Sequence, residues 1–138
     1  MRAVFLILLA AGMFAQEITI KAAPGRSERF LPAANVTGDV RTRNAALVEG
    51  KNRYFKNGII SESTLYESHG VIVVGLVKEA DPAQFGAAYG LTKPHKVTEG
   101  IFRFQNGTDE GDLALCARIG DDSRVTFAKP AWITRKQR

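Results

Sequence analysis

The sequence predicts an α+β fold in which four mostly antiparallel strands carry two helices on one face, preceded by a loop-rich segment and a hairpin. Three observations predict it. Residues 71–77, VIVVGLV, form an apolar run that is rich in β-branched side chains and too short to cross a bilayer, the pattern of a buried central strand. Residues 101–104, IFRF, alternate with a period of two. Two further stretches, 81–90 and 109–120, open with helix-capping chemistry and close on glycine.

Each element follows from its residues. Asp81 precedes Pro82, whose fixed φ suits the first position of a helix, and Gln84 stands where it and Asp81 can cap each other's exposed amides. Phe85, Ala88 and Tyr89 recur at helical spacing, and Gly90 can take the left-handed conformation that ends a helix. Residues 91–97 then extend. Pro94 cannot donate to a ladder, which marks this stretch as an edge strand or a strand start. Glu99-Gly100 turns the chain, and Phe102 and Phe104 share the core face of the strand that follows. After the break at Asn106-Gly107, Thr108 or Asp109 caps a second helix. Its acidic first turn (Asp109, Glu110, Asp112) complements the helix dipole, and Leu113, Cys116 and Ile119 give it an apolar stripe. Gly120 stops it, Asp121-Asp122-Ser123 turns, and Val125-Thr126-Phe127 resumes strand alternation. The order is βαββαβ over residues 69–132, the ferredoxin-like split βαβ arrangement.

Ahead of that unit the chain divides in two. Met1-Arg2 followed by the apolar residues 3–11 has the basic start and apolar centre of a secretory signal peptide. Residues 1–15 are therefore expected to send the chain to the periplasm or the exterior, with cleavage after Ala15 or Gly12 and no stable membrane anchor; a buried N-terminal strand is the alternative. Residues 16–68 are expected to form an N-terminal extension. Residues 17–21 alternate as a short strand, and Pro24-Gly25, Pro32 and Gly38 punctuate a loop-rich passage that also holds Arg26, Arg29, Arg41 and Arg43. Arg53-Tyr54-Phe55-Lys56-Asn57-Gly58 reads as a strand and a tight hairpin turn, with residues 64–67 as its partner or as an extension leading into Val71.

Composition narrows the function. With 138 residues and 45% apolar side chains, the chain can bury one modest core. The formal charge of +5 becomes +4 once Arg2 leaves with the signal peptide. Lys and Arg are dispersed and not interleaved with Tyr and Phe, unlike a base-stacking surface, so no nucleic acid partner is expected. Cys116, alone, cannot form an intramolecular disulfide, and its place on an apolar stripe suits a small buried hydrophobe better than a reactive thiol. His69 and His95 fall in predicted turns, and neither a Gly-x-Ser-x-Gly elbow nor a Ser, His and Asp pattern is present, so an enzyme is not expected. Asp109, Glu110 and Asp112 lack the companion ligands of a calcium loop; no metal and no cofactor are expected. Asn35-Val36-Thr37 and Asn106-Gly107-Thr108 are glycosylation acceptors in a host that glycosylates its secreted proteins.

Three segments, VIVVGLVKEADPAQFGAAYGLT, EGIFRF and DLALCARIGDDSRVTFAKPAW, resemble in order and spacing the propeptide domain of subtilisin-like serine proteases, a family that also contains freestanding protease inhibitors. The points of likeness are Lys78 and the Asp81-Pro82 helix, the Gly90-Leu91 exit, the passage from Ala117-Arg118-Ile119 to Arg124-Val125, and the ending Phe127-Ala128-Lys129-Pro130-Ala131-Trp132. Tyr54-Phe55-Lys56-Asn57-Gly58 also looks like an aromatic hairpin of some longer precursors.

The resemblance implies a module that binds, inhibits or assists folding of a subtilisin-like serine protease. Its open sheet face, with Arg103 and Lys129 as contact candidates, would pack on two protease helices. Ala131, Trp132, Ile133, Thr134, Arg135, Lys136, Gln137 and Arg138 would then occupy the active-site cleft as a substrate-like tail, of which residues 133–138 are the basic end. Lys129 and Ala131 depart from the acidic residues that commonly cap those helices in the family; a lysine there is unfavourable by about 0.3–1 kcal/mol. Arg135 and Arg138 are spaced as in sites cut by basic-specific convertases, or form a solubilising tail. Two other readings stand beside this one: a detached N-terminal fragment of a longer subtilase precursor, and a ferredoxin-like protein-binding module with a non-protease partner. An acylphosphatase-type enzyme is disfavoured by the lack of a Gly-rich phosphate loop with an adjacent arginine.

Overall fold

In the computed structural model, which describes residues 16–133, the expected four-stranded ferredoxin-like sheet is replaced by a seven-stranded antiparallel sheet curled into a half-barrel, with four helices. The expected signal peptide and residues 134–138 lie outside the described residues. The strands are β1 (Ile18–Ala23), β2 (Arg26–Pro32), β3 (Arg53–Lys56), β4 (Leu65–Leu76), β5 (Leu91–Thr98), β6 (Ile101–Asn106) and β7 (Val125–Ile133). The helices are α1 (Gly38–Arg43), α2 (Ala45–Val48), α3 (Pro82–Tyr89) and α4 (Asp112–Ile119). The sheet runs β1-β2-β3-β4-β6-β5, and β7 pairs along the other side of β4.

The correction originates in the stretch expected to be loop-rich. Pro24-Gly25 is the turn of a hairpin, and Ile18, Ile20 and Ala22 alternate inward along β1. Residues 71–76 of the apolar run are the second half of a twelve-residue strand whose first half is disguised by polar residues. Residues 65–67 both pair with β3 and continue into the run, so the two roles considered for this stretch coexist. β5 is the end strand of the sheet, with every residue after Leu91 exposed, as Pro94 requires.

The two faces of the sheet bury different cores. Ile20, Phe30, Ile72, Phe85, Phe104 and Leu113 fill the space between the concave face and helices α3 and α4. On the opposite face of β2, β3 and the start of β4, Leu31, Ala33, Val36, Val48, Phe55 and Leu65 form a smaller core under the 3-10 turn Ala33–Asn35 and α2. Phe30 and Leu31, like Tyr54 and Phe55, are neighbours in sequence that serve opposite cores, as strand alternation dictates. Each fully buried side chain of this size contributes about 1.5–3 kcal/mol. Arg53 steadies the smaller core's cover by donating to the carbonyls of Ala46 and Leu47. Cys116 is fully buried, and that burial pushes its thiol well above the ordinary range, which leaves it an inert core residue.

The helix ends differ. Asp81 accepts from the Ala83 N–H (3.0 Å) and Gly90 is left-handed (φ 71°), so α3 starts and stops where its residues direct. In α4 the cap is Gly111 with no side-chain bond, in place of Thr108 or Asp109. Thr108 instead donates its amide and hydroxyl to the Asn106 side chain (2.9 and 2.6 Å), closing the loop before the helix.

Asp112 turns inward and joins three parts of the chain. Although fully buried, its carboxylate accepts from the Ser68 hydroxyl (2.6 Å), the Gly70 amide (2.8 Å) and the Asn106 side chain (2.9 Å). Its own amide donates to Asn52 Oδ1 (2.9 Å), which also receives the Tyr54 hydroxyl (2.6 Å), and Leu113 N–H donates to that hydroxyl (3.2 Å). Burial, the largest cause, pushes the Tyr54 phenol up to about 12. The result is a latch that ties the start of α4 to β3 and to the irregular middle of β4. Gly70 has φ 82°, a left-handed conformation that aims its amide at Asp112 within the bulge between Ser68 and Ile72.

A second cluster fastens α3 to the turn after α4. Asp122 accepts two side-chain bonds from Arg124 (3.0 and 2.8 Å), the Arg124 amide (2.8 Å) and the Tyr89 hydroxyl (2.7 Å). The Arg124 guanidinium first, then the Tyr89 hydroxyl, hold the Asp122 carboxyl well below the usual carboxylate range. A depressed folded-state value means that the contribution is complete above the unfolded value of about 4 and is lost as pH falls through the folded one. The stability gap between wild type and Asp122→Asn is therefore expected to be widest near about pH 6 and to narrow toward about pH 2, as read from urea midpoints along a pH series.

Candidate protein-binding face

Alternation along β4 sends Ile72 and Val74 into the core and leaves Val71, Val73 and Gly75 on the other side. Residues directly opposite on neighbouring strands share a face, so the register assembles three rows. Phe127, Gly75, Ile101 and Thr98 form the first; Lys129, Val73, Arg103 and His95 the second; Val71, Gln105 and Thr92 the third. No helix among the described residues covers these rows, because α3 and α4 lie on the core side and α2 packs only on the β2–β3 end.

Gly75 makes the first row possible. The Phe127 ring lies against it, and a Cβ at that position would run into the ring and the Thr126 hydroxyl. Phe127 is thereby held nearly buried on an otherwise open face. Gly75→Ala is expected to cost about 1–3 kcal/mol by overpacking, a loss that a lowered thermal midpoint reports.

The sites expected from sequence separate into three groups. Arg103 and Lys129 flank Val73 in one row: Arg103 is exposed, Lys129 half-buried, and neither makes an ion pair among the described residues. Ala131, Trp132 and Ile133 belong to β7 and are not a free tail. Trp132 sits in an aromatic cluster, its ring 5.0 Å from Phe30, 5.2 Å from Tyr66 and 5.9 Å from Tyr54. Thr134, Arg135, Lys136, Gln137 and Arg138, with the expected cleavage site at Arg135 and Arg138, lie outside the described residues.

Two shallow clefts flank Arg103. One, of about 220 Å³, is lined by Val71, Lys93, His95, Arg103, Phe104 and Gln105. The other, of about 290 Å³, is lined by His69, Val71, Arg103, Ala131, Trp132 and Ile133, so the last described residue stands at its wall. His69 is exposed beside the bulge of β4, and His95 is exposed in β5, in place of the turns expected for them.

Sequence reasoning did not single out Val71, Val73, Ile101, His95 or Gln105 for this face. Their signal was present in the alternation of 101–105, but the uniformly apolar run at 71–77 conceals which of its residues face outward. Among the described residues no group of three or more His, Cys, Asp or Glu is placed to hold a metal ion. None of the described helices is long and apolar enough to cross a membrane. No protein-family model matches the sequence, and comparison with curated proteins and with solved structures returns no match.

Proposed function

We propose that this chain is a secreted or periplasmic propeptide-like module that binds and inhibits a subtilisin-like serine protease and assists its folding, and that has no catalytic activity of its own. The observation that carries this reading is the uncovered face of β4, β6 and β7, whose apolar centre of Val71, Val73 and Ile101 lies beside a cleft that Ile133, the last described residue of β7, helps to line. A partner seated on such a face gains apolar burial and keeps the residues after Ile133 within reach of its own cleft. Binding only the folded protease, the module stabilises that state by linkage while it blocks the site. The likeness of residues 71–132 to subtilase propeptides supplies the partner class.

The test is a titration of the chain beginning at Gln16 against a set of subtilisin-like proteases, following substrate hydrolysis and the intactness of the added chain. Saturable inhibition by an intact chain supports the reading, and inhibition that decays as the chain is cut identifies a temporary inhibitor. Absence of binding to every member of the set would overturn it in favour of a detached precursor fragment or a non-protease partner.

A further inference from the structure

We infer that the open face is matched to an acidic helix: a segment lying across β7, β4 and β6, with two carboxylates about two turns apart and an apolar side chain between them. The inference rests on the protease-binding reading only in placing that helix on the protease surface.

The argument is geometric and electrostatic. In the second row Lys129 and Arg103 stand on the two strands that flank Val73, one strand away on either side. Strands in a sheet are spaced about 4.8 Å apart, so the two basic positions are separated by about 10 Å with a half-buried valine midway. On an α-helix, residues i and i+7 are about 10.5 Å apart and lie on one side, with i+3 and i+4 between them. Glu or Asp at i and i+7 would meet Lys129 and Arg103, while an apolar residue at i+3 or i+4 would seat on Val73.

Lys129 also borders the cavity between β1 and β7 that Glu28 lines, but Glu28 is engaged by Arg26 and Lys56 and makes no ion pair with Lys129. The three rows themselves contain no carboxylate, and His95 and the neighbouring Lys93 extend the basic side toward β5. The carboxylate of Glu67, paired with Ile133 further along the same strands, is turned toward Arg53 at 3.4 Å. Several basic groups elsewhere are paired internally, Arg26 and Lys56 with Glu28, Arg29 with Glu17, Arg118 with Glu110 and Arg124 with Asp122; what distinguishes Arg103 and Lys129 is that they flank one apolar position of an uncovered face. A face with an apolar centre and unpaired cations on both flanks is complementary to carboxylates and mismatched to the positive end of a helix dipole.

The probe is a helical, alanine-rich peptide of about 20 residues carrying Glu at i and i+7 and Leu at i+3 and i+4. It is titrated into the isotopically labelled chain beginning at Gln16 and followed by amide chemical shifts. Shifts confined to residues 71–75, 101–105 and 127–131 are expected. Binding should weaken at least fivefold when both Glu are replaced by Gln, when salt is raised, or in Arg103→Glu/Lys129→Glu. Arg103→Gln/Lys129→Gln serves as the milder variant should reversal disturb folding. Equal binding of a peptide with Lys in place of Glu, shifts elsewhere on the surface, or tighter binding of a single-stranded oligonucleotide at the same amides would overturn the inference. The two readings separate cleanly. Protease inhibition that survives in both variants sinks the acidic helix and spares the inhibitor, whereas peptide binding without inhibition of any protease does the reverse.

Discussion

Asp112→Ala should lose about 3–5 kcal/mol of folding stability, the largest effect expected of any single substitution in this chain. Asp112 is fully buried and receives the Ser68 hydroxyl, the Gly70 amide and an Asn106 N–H, so truncation leaves three donors facing a void that apolar atoms cannot satisfy. Domains of this size are stable by only about 5–15 kcal/mol, so the variant should stand near its unfolding midpoint without denaturant. Urea unfolding followed by the emission of Trp132, the single tryptophan, provides the measurement. Asp112→Asn keeps an acceptor oxygen but brings an amide into a site already crowded with donors, and should cost about 1–3 kcal/mol. If Asp112→Ala unfolds at the wild-type urea concentration, the latch does not support the fold as described.

The second large effect concerns activity and not stability. On the proposed protease-binding role, a chain ending at Ile133 should inhibit a subtilisin-like protease at least tenfold more weakly than the full chain, with an unchanged thermal midpoint. Every residue named in either buried core lies at or before Trp132 and is kept in this chain. A chain ending at Pro130 is a poor test of the same idea. It removes Trp132 and its ring contacts with Phe30, Tyr54 and Tyr66, each worth about 0.5–1.5 kcal/mol, and so confuses loss of binding with loss of folding. Measuring inhibition and melting on both truncations separates the two. Inhibition by the Ile133 chain equal to that of the full chain would exclude a cleft-binding role for residues 134–138.

Legibility in the sequence followed how local the determining chemistry was. The start and stop of α3 were readable because Asp81, Pro82 and Gly90 act on their immediate neighbours. Phe102 and Phe104 could be placed on the core side from a four-residue alternation. The extent of the sheet was not readable: residues 17–21 and 53–56 showed as short strands, but β2, which joins them, is masked by Arg26, Arg29 and Pro32 and reaches β3 only across an intervening helical segment. Asp112 shows the limit most clearly. At the head of a helix an aspartate is fully explained by the helix dipole, and only the arrival of Ser68 and Gly70 from β4 makes it an interior residue. Of the candidate site, Arg103 and Lys129 were identified individually, but their placement on either side of Val73 depends on the register of three strands.

The half-barrel also brings β1 against β7, with Ala22, Lys129 and Trp132 lining one shared cavity of about 190 Å³ although the two strands stand almost the whole described chain apart. During synthesis β1 emerges ahead of the other described strands and waits for a neighbour that is the last of them to be made. Contacts of such long sequence separation are slow to form, because the intervening chain must be ordered before they repay its lost freedom. The open face has the same dependence, since Lys129 arrives with β7. Synthesis therefore times this protein's readiness: until β7 is released, the nascent chain has neither a finished core nor a complete open face.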